Sequence, residues 1–293
     1  MQKEKGLNLA NIFLILTAAI WGFAFVAQRL GMQSLDPMSF NAIRFALGAI
    51  FVWLLTPRKN QGKSAFPWLL GIVLFIAASL QQVGMVYTGA GSAGFITGLY
   101  VVIVPLLGII RKQRIGLRTM LAIALAVCGM FFINRPGNLD VSLGNVLVLG
   151  SAFFWAWHVQ LVDIYSRKYE TGYLAFSQFA LCALFSALGA WFLLITKAPG
   201  GRDFANLGAN VIRAGLPLLY GGVLSVGVAY TLQIKAQKNA EPAKAAVILC
   251  LEGVFALLGG RLVLHEVVDF RVFMGASLML AAMLLSVIPK HFD

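Results

Sequence analysis

The longest run of uncharged residues, 64–110, constrains the fold of this chain more than any other feature of the sequence. Most of its residues are apolar, and about 20 apolar residues are needed to cross one bilayer. The run is therefore long enough for two membrane-spanning helices, with a turn expected at residues 88–91. Its apolar residues are continuous, as at 69–76, whereas the strands of a membrane β-barrel alternate apolar and polar residues. Helices are therefore predicted.

Other apolar runs have the same character. Uncharged runs cover 6–28, 119–134, 141–162, 171–196, 214–234 and 272–289, and two further spans contain a charge at depth, Arg44 in 37–57 and Glu252 in 241–262. Only 12% of all residues are charged, against about 25% in soluble domains, so the chain cannot cover a water-exposed surface. We therefore predict an all-α integral membrane protein with ten transmembrane helices.

The formal net charge of +12 reflects short basic segments between the apolar runs. If the N-terminus is cytoplasmic, the inner loops collect 15 of the 23 Lys and Arg residues and the outer loops 7. This bias places both termini in the cytoplasm. We therefore expect a multi-pass protein of the bacterial cytoplasmic membrane, with the lipid bilayer rather than nucleic acid as its partner.

The two halves of the sequence resemble each other. An offset of 134 residues places Trp21 over Trp155, and an offset of about 148 places Gln82 over Tyr230 and Tyr100 over Ile248. With five spans in each half, the second half must cross the membrane in the opposite sense. We predict two inverted five-helix repeats, residues 1–137 and 138–293, with a substrate site near the midplane between them.

The polar residues within spans allow several interpretations. An ionised carboxylate at the position of Glu252 costs about 2.5–3.5 kcal/mol on insertion scales. Glu252 could exchange a proton for substrate, bind a substrate ammonium group, or hydrogen-bond a neighbouring helix. Arg44 lies near enough to a span end to extend its charge to the membrane surface. His158 fits either packing or function.

Residues beside small or polar neighbours within spans are the candidates for a cavity. The predicted cavity-lining residues are Trp21, Gln82, Thr97, Tyr100, Trp155, His158, Tyr230 and Glu252. The offset of 148 also predicts that Ala245 and Ile248 face the cavity together with Glu252. The predicted hinge or packing positions are Gly94, Gly98, Pro105 and Gly253. The cysteines lack metal-ligand spacing, so we expect no metal and no cofactor. The G-x-G-x-x-G pattern at 89–94 has no acidic residue at the required distance, and we expect no enzymatic activity.

Five motifs in order resemble the EamA-like family of the drug/metabolite transporter superfamily. They are AIWGFAF at 19–25, DPMSFNAIRF at 36–45, SAGFI at 92–96, VPL at 104–106, and LEGVFA at 251–256 followed by His265 and Glu266. The resemblance covers essentially the whole chain. It implies two inverted five-helix repeats around a cavity lined by helices 1, 3, 4, 6, 8 and 9.

The resemblance also implies a function. It suggests a secondary transporter that exports amino acids and related small metabolites by alternating access, in the manner of the YddG-type exporters. Separately, we expect a small-molecule substrate and a monomeric chain. Because the spans assigned to the cavity contain almost no basic residues, zwitterionic or apolar substrates are favoured. The alternatives are a transporter for nucleotide sugars, sugar phosphates or lipophilic cations, and a membrane scaffold without transport activity.

Overall fold

The computed structural model describes residues 2–56, 66–87, 90–134, 143–196, 206–264 and 270–287, and within these ranges every regular element is a helix. The helices are α1 (Gln2–Gly31), α2 (Pro37–Leu55), α3 (Trp68–Tyr87), α4 (Ala90–Gly98), α5 (Tyr100–Ile110), α6 (Leu117–Asn134), α7 (Leu143–Ser166), α8 (Thr171–Ile195), α9 (Leu207–Arg213), α10 (Gly215–Leu219), a π-helical segment (Tyr220–Tyr230), α11 (Thr231–Gln237), α12 (Pro242–Leu249), α13 (Glu252–Leu264) and α14 (Phe270–Val287).

Seven helical stretches of the described chain are long and apolar enough to cross a membrane. They are Leu9–Gly31, Pro37–Leu55, Trp68–Tyr87, Leu143–Ser166, Thr171–Ile195, Gly215–Gln237 and Pro242–Val263. Three shorter apolar helices, Ile96–Ile110, Leu117–Phe132 and Phe273–Val287, accompany them. Large apolar side chains such as Leu54 and Ile110 are exposed, as expected for surfaces that face lipid. The prediction of an all-helical membrane protein is confirmed for these residues.

Two of the predicted spans are broken helices. The run 64–110 gives α3 and then two helices that meet at Leu99, while residues 88 and 89 of the predicted turn lie outside the described ranges. The span predicted at 241–262 is interrupted at Cys250 and Leu251, where α12 ends and α13 begins. Hydropathy reports how well side chains suit the bilayer and not the conformation of the backbone, so it did not reveal either break.

Local signals fix where several helices begin. Asp36 precedes α2, and its Oδ1 atom accepts hydrogen bonds from the backbone N–H groups of Met38 at 3.0 Å and Ser39 at 2.9 Å. Pro37 occupies the first turn, where its missing N–H is not needed. Pro242 likewise occupies the first turn of α12, although the preceding Glu241 makes no side-chain cap there.

The helices pack in reciprocal pairs between the two halves of the chain. α2 packs on α8, α6 on α14, and α3 on α7, while α1 packs on α13 and on the π-helical segment. Gly22 permits a close approach of α1 to α13, because a Cβ atom there would lie 2.6 Å from the backbone oxygen of Glu252. The contact between α1 and α13 brings together two helices that line the central cavity.

Candidate functional site

A central cavity of about 50 Å³ lies between the two halves of the chain, with space for about three to five water molecules at 10–15 Å³ each. Side chains from α1 to α5, from α7, and from the π-helical segment to α13 line it. On α1 the lining residues are Trp21, Ala24, Phe25 and Gln28, which the helical period places on one face. Nearer the N-terminus of the same helix, Leu14 and Ala18 are fully buried in the largest apolar cluster. The cavity therefore lies towards the C-terminal end of α1, and packed side chains fill the core at the other end.

The π-helical segment is held against α1 by side chains that reach its backbone. The indole N–H of Trp21 donates to the carbonyl oxygen of Ser225 at 3.1 Å, and the hydroxyl of Thr17 donates to that of Ala229 at 3.1 Å. π-Helical geometry is rare and often occurs at functional sites. Here the segment supplies Ser225 and Tyr230 to the cavity wall.

Tyr230 lies at the centre of an aromatic cluster in this wall. Its ring centre is 4.7 Å from that of Trp21 in an edge-to-face arrangement, and 6.2 Å from that of Trp155 in a stacked one. The ring of His158 meets it edge-on at 5.9 Å. Pairs of aromatic rings at these distances and angles are attractive, so the cluster forms a packed, largely apolar surface.

His158 has a defined polar partner on its buried side. Its Nε2 atom is 2.7 Å from Oε1 of Gln178. The two side chains are therefore hydrogen-bonded to each other. The ring thus shares in both the hydrogen-bonded core and the cavity wall, and both interpretations of His158 from the sequence describe part of its surroundings.

Glu252 and Tyr100 occupy equivalent places after the two helix breaks. Tyr100 is the first residue of α5, and Glu252 is the first residue of α13. The carboxyl group of Glu252 and the hydroxyl of Tyr100 are close enough to interact. The two breaks therefore bring a carboxyl group and a phenol group to the same cavity wall.

The structure places seven of the eight predicted lining residues at the cavity. They are Trp21, Thr97, Tyr100, Trp155, His158, Tyr230 and Glu252. Gln82 is fully buried and lies elsewhere, and its neighbour Gln81 lines the cavity. The amide of Gln81 donates to the hydroxyl of Thr97 at 3.3 Å. One residue along a helix is a rotation of about 100°, and nothing in the sequence distinguishes the two glutamines.

Two further expectations need correction. Ala245 and Ile248 are fully buried in the largest apolar cluster, and Leu249 lines the cavity with Glu252 instead. Arg44 does not extend to the membrane surface, because it is 4% exposed and lines the cavity. A charge inside an apolar span was the available signal. Gln28 and Gln233, which also line the cavity, lie on the same helical faces as Trp21 and Tyr230.

The predicted hinge and packing residues have different surroundings. A Cβ atom on Gly98 would meet the side chain of Met130, whereas one on Gly94 would have no neighbour within 4 Å. Gly253 follows the second break, and a Cβ atom there would lie 3.7 Å from the side chain of Met279. Pro105 lies inside α5 and is buried. Close packing at a small residue is thus observed for Gly98, and a hinge role stays a prediction for all four.

A second polar cluster, here called the Arg111 cluster, lies where α5 ends against α7 and comprises Arg111, Gln113, Gln160, Asp163 and Arg167. Arg111 donates to Oδ2 of Asp163 at 3.3 Å and to the side chain of Gln160. Gln160 in turn donates to the carbonyl oxygen of Val104 at 2.8 Å. These contacts tie α5 to α7 beyond the apolar cluster that fills this end of the core.

Comparison with known proteins places the fold and the family. A solved crystal structure superposes with a TM-score of 0.77 at 15% identity, covering 94% of this chain and 96% of that one. At that identity the likeness concerns the fold alone.

Among the described residues, no group of three or more His, Cys, Asp or Glu is placed to hold a metal ion.

Sequence relatives carry the family assignment. An uncharacterized transporter of Archaeoglobus fulgidus is 33% identical over 94% of this chain and 85% of its own length. The uncharacterized transporter YoaV of Bacillus subtilis is 22% identical, covering 90% of this chain and 92% of its own. The sequence model of the EamA-like transporter family matches residues 8–135 and 142–288. His265 and Glu266 of the last motif fall outside the described residues. The chain therefore belongs to the EamA-like transporter family of the drug/metabolite transporter superfamily, as a transporter that passes through the membrane several times.

Proposed function

We propose that this chain is a secondary transporter that exports amino acids, including aromatic and apolar ones, and related small metabolites across the bacterial cytoplasmic membrane. The carrying observation is the cavity wall, which combines the aromatic rings of Trp21, Trp155 and Tyr230 with the carboxylate of Glu252. Aromatic faces attract an ammonium group by about 0.5–2 kcal/mol. The same rings pack against apolar side chains, so one wall suits both parts of such a solute.

We also propose ten transmembrane helices in two inverted repeats, acting as a monomer of the YddG type with both termini cytoplasmic. The reciprocal packing of α2 on α8 and of α6 on α14 supports the repeats, as do the two separate family matches. The two breaks add an independent sign, because broken helices at corresponding positions mark substrate sites in inverted-repeat transporters. The spacing of 152 residues from Ala90 to Pro242 also separates Tyr100 from Glu252, so the repeat offset here is one helical turn longer than 148.

Alternating access requires a cavity that opens to one side at a time. The cavity lies beside Trp21 and Gln28, whereas Leu14 and Ala18 of the same helix are packed. With both termini cytoplasmic, the packed end faces the cytoplasm. The state described is then closed on the inside. Export begins when the contacts of the Arg111 cluster, and of the apolar cluster that contains Leu14 and Ala18, open at this end.

The alternative substrates fit this cavity less well. A nucleotide sugar or sugar phosphate brings two negative charges, whereas the ionisable lining residues include one arginine and one glutamate. A lipophilic cation would suit Glu252 and the aromatic wall but would give Arg44 no negatively charged partner. Both classes belong in the panel of solutes that tests the proposal.

The experiment is counterflow in liposomes, with and without a proton gradient, using labelled amino acids, amines, nucleotide sugars and lipophilic cations. We expect saturable counterflow of apolar and aromatic amino acids. Glu252→Gln should reduce it, and Glu170→Gln, which changes an exposed carboxylate at the start of α8, should not. Gradient-driven uptake lost in Glu252→Gln with counterflow retained would show proton coupling, and a gradient without effect on the wild type would show facilitated diffusion. Counterflow of another class alone, or of no solute by a folded sample, would overturn the proposal.

A further inference from the structure

Arg44 is a buried cation held in a fixed orientation. It is 4% exposed, and its guanidinium lies over the ring of Phe45 at 4.9 Å and that of Phe40 at 5.7 Å from the ring centres. Its Nε atom donates to Oδ1 of Asn41 at 2.9 Å, and the amide of Asn41 donates to the carbonyl oxygen of Ala78 at 3.3 Å. These contacts position the side chain of Arg44 but supply no negative charge.

No carboxylate within the described ranges forms an ion pair with Arg44, since the ion pairs found there join Asp163 to Arg111 and Arg167. Glu252 lines the same cavity but lies beyond ion-pair distance of Arg44. A charge inside the membrane is expensive and marks a functional site by default. The guanidinium has five N–H donors, and one of them is used by Asn41. The others require an acceptor that the cavity can admit.

Tyr230 lines the cavity together with its two opposite charges, Arg44 and Glu252. Its phenol is within electrostatic range of both Arg44 and Glu252, while its ring packs on Trp21. A guanidinium can bind a carboxylate through two parallel N–H···O hydrogen bonds, which add both binding energy and geometric specificity. A solute with one carboxylate and one ammonium group could therefore pair with both Arg44 and Glu252, which line the same cavity.

We propose that Arg44 is the carboxylate-binding residue of the transporter and selects solutes that carry a free carboxylate, with Glu252 at the ammonium pole. This inference rests on the proposed function for the identity of the solute and on the geometry of Arg44 for the anion. Asn41 is a positioning residue, since it fixes the guanidinium and has no need to touch the solute.

The test compares three solutes that share one aromatic group: phenylalanine, 3-phenylpropionate without the ammonium group, and phenethylamine without the carboxylate. Each competes with labelled phenylalanine in counterflow by wild type, Arg44→Gln and Arg44→Lys. We expect Arg44→Gln to lower the apparent affinity for phenylalanine and for 3-phenylpropionate at least tenfold. The apparent affinity for phenethylamine should fall less than twofold. Arg44→Lys should lie between, because lysine keeps the charge but not the paired bonds. An equal loss for all three solutes, or none, would overturn the assignment.

A second measurement is independent of transport and of the variants' activity. The melting temperature in detergent is recorded with 3-phenylpropionate, inorganic phosphate or phenethylamine, and Asn41→Asp supplies a variant that retains Arg44 but gives it an internal carboxylate. Stabilisation by 3-phenylpropionate should be present in the wild type and lost in Arg44→Gln and Asn41→Asp. If this holds while no amino acid is transported, the proposed function fails and the anion site stands. Stronger stabilisation by phosphate, or none by any anion, would refute carboxylate recognition.

Discussion

Removing the shared carboxylate of the Arg111 cluster should weaken the closed state of this protein. Asp163 has an 8% exposed side chain and pairs with two arginines, Arg111 at 3.3 Å and Arg167 at 2.8 Å. Arg111 is 33% exposed, so its pair lies near the low end of charge-assisted bonds, at about 1.5 kcal/mol. Arg167 is 57% exposed and follows Asp163 by four residues, just beyond the end of α7, which limits that pair to about 0.3–0.5 kcal/mol.

Asp163→Asn keeps the shape of the side chain and one acceptor oxygen but removes the charge. We therefore expect its contacts with the two arginines to lose about 1–2 kcal/mol of stabilising free energy. If opening at this end separates α5 from α7, that loss falls on the closed state alone. At 1.4 kcal/mol per factor of ten, the open fraction should rise about 5- to 30-fold. Arg167→Gln removes only the exposed pair and should change it less than about threefold.

The assay measures labelling of a buried reporter by a membrane-impermeant thiol reagent. Val104 is fully buried in the apolar layer behind the cluster, and Val104→Cys provides the reporter once the three native cysteines are replaced. Inside-out and right-side-out vesicles separate the two faces of the membrane. Labelling should accelerate from the cytoplasmic side for Asp163→Asn and stay near the reference rate for Arg167→Gln. Equal rates for the two variants would refute the reasoning that the Arg111–Asp163 contact holds this end closed.

Three further predictions follow from local geometry. Lys112 has a left-handed backbone with φ of 59° after α5, where glycine is usual, so Lys112→Gly should raise the stability by about 0.5–1 kcal/mol in thermal unfolding; a lower melting temperature would contradict this. Gly22→Ala would clash with the backbone of α13, and it should destabilise by about 1–3 kcal/mol and reduce transport, whereas unchanged melting and flux would contradict the close approach. Gln33→Cys should be labelled from outside intact cells and Lys238→Cys should not; the reverse pattern would invert the predicted topology.

Most of the cavity wall was predictable because its residue types are unusual within apolar spans. Tryptophan, tyrosine and glutamate at depth identify themselves against leucine and valine, as Trp155 and Glu252 did. Glutamine was ambiguous, because Gln81 and Gln82 are adjacent and only their rotation about α3 separates the cavity from the core. Arg44 was visible as a buried charge, but its distance from the span end also allowed extension to the membrane surface.

The Arg111 cluster was beyond prediction from the sequence. Arg111 and Asp163 are 52 residues apart and belong to different halves of the chain. Both stand beside loops where charged residues are ordinary. Their contact depends on how α5 crosses α7, and neither hydropathy nor motif order contains that information.

The sequence by itself determined that the chain is helical and spans a membrane, because the bilayer requires apolar segments of fixed length with satisfied backbones, and that requirement can be read locally. The order of its motifs also indicated the family. The tertiary structure decided where the helices break, which helical faces meet, and which polar groups share the cavity. Tyr100 and Glu252 meet because two broken helices pack against each other, and Arg44 remains buried because α2 packs on α8 and the π-helical segment. These outcomes depend on contacts between distant segments, so only the folded chain could settle them.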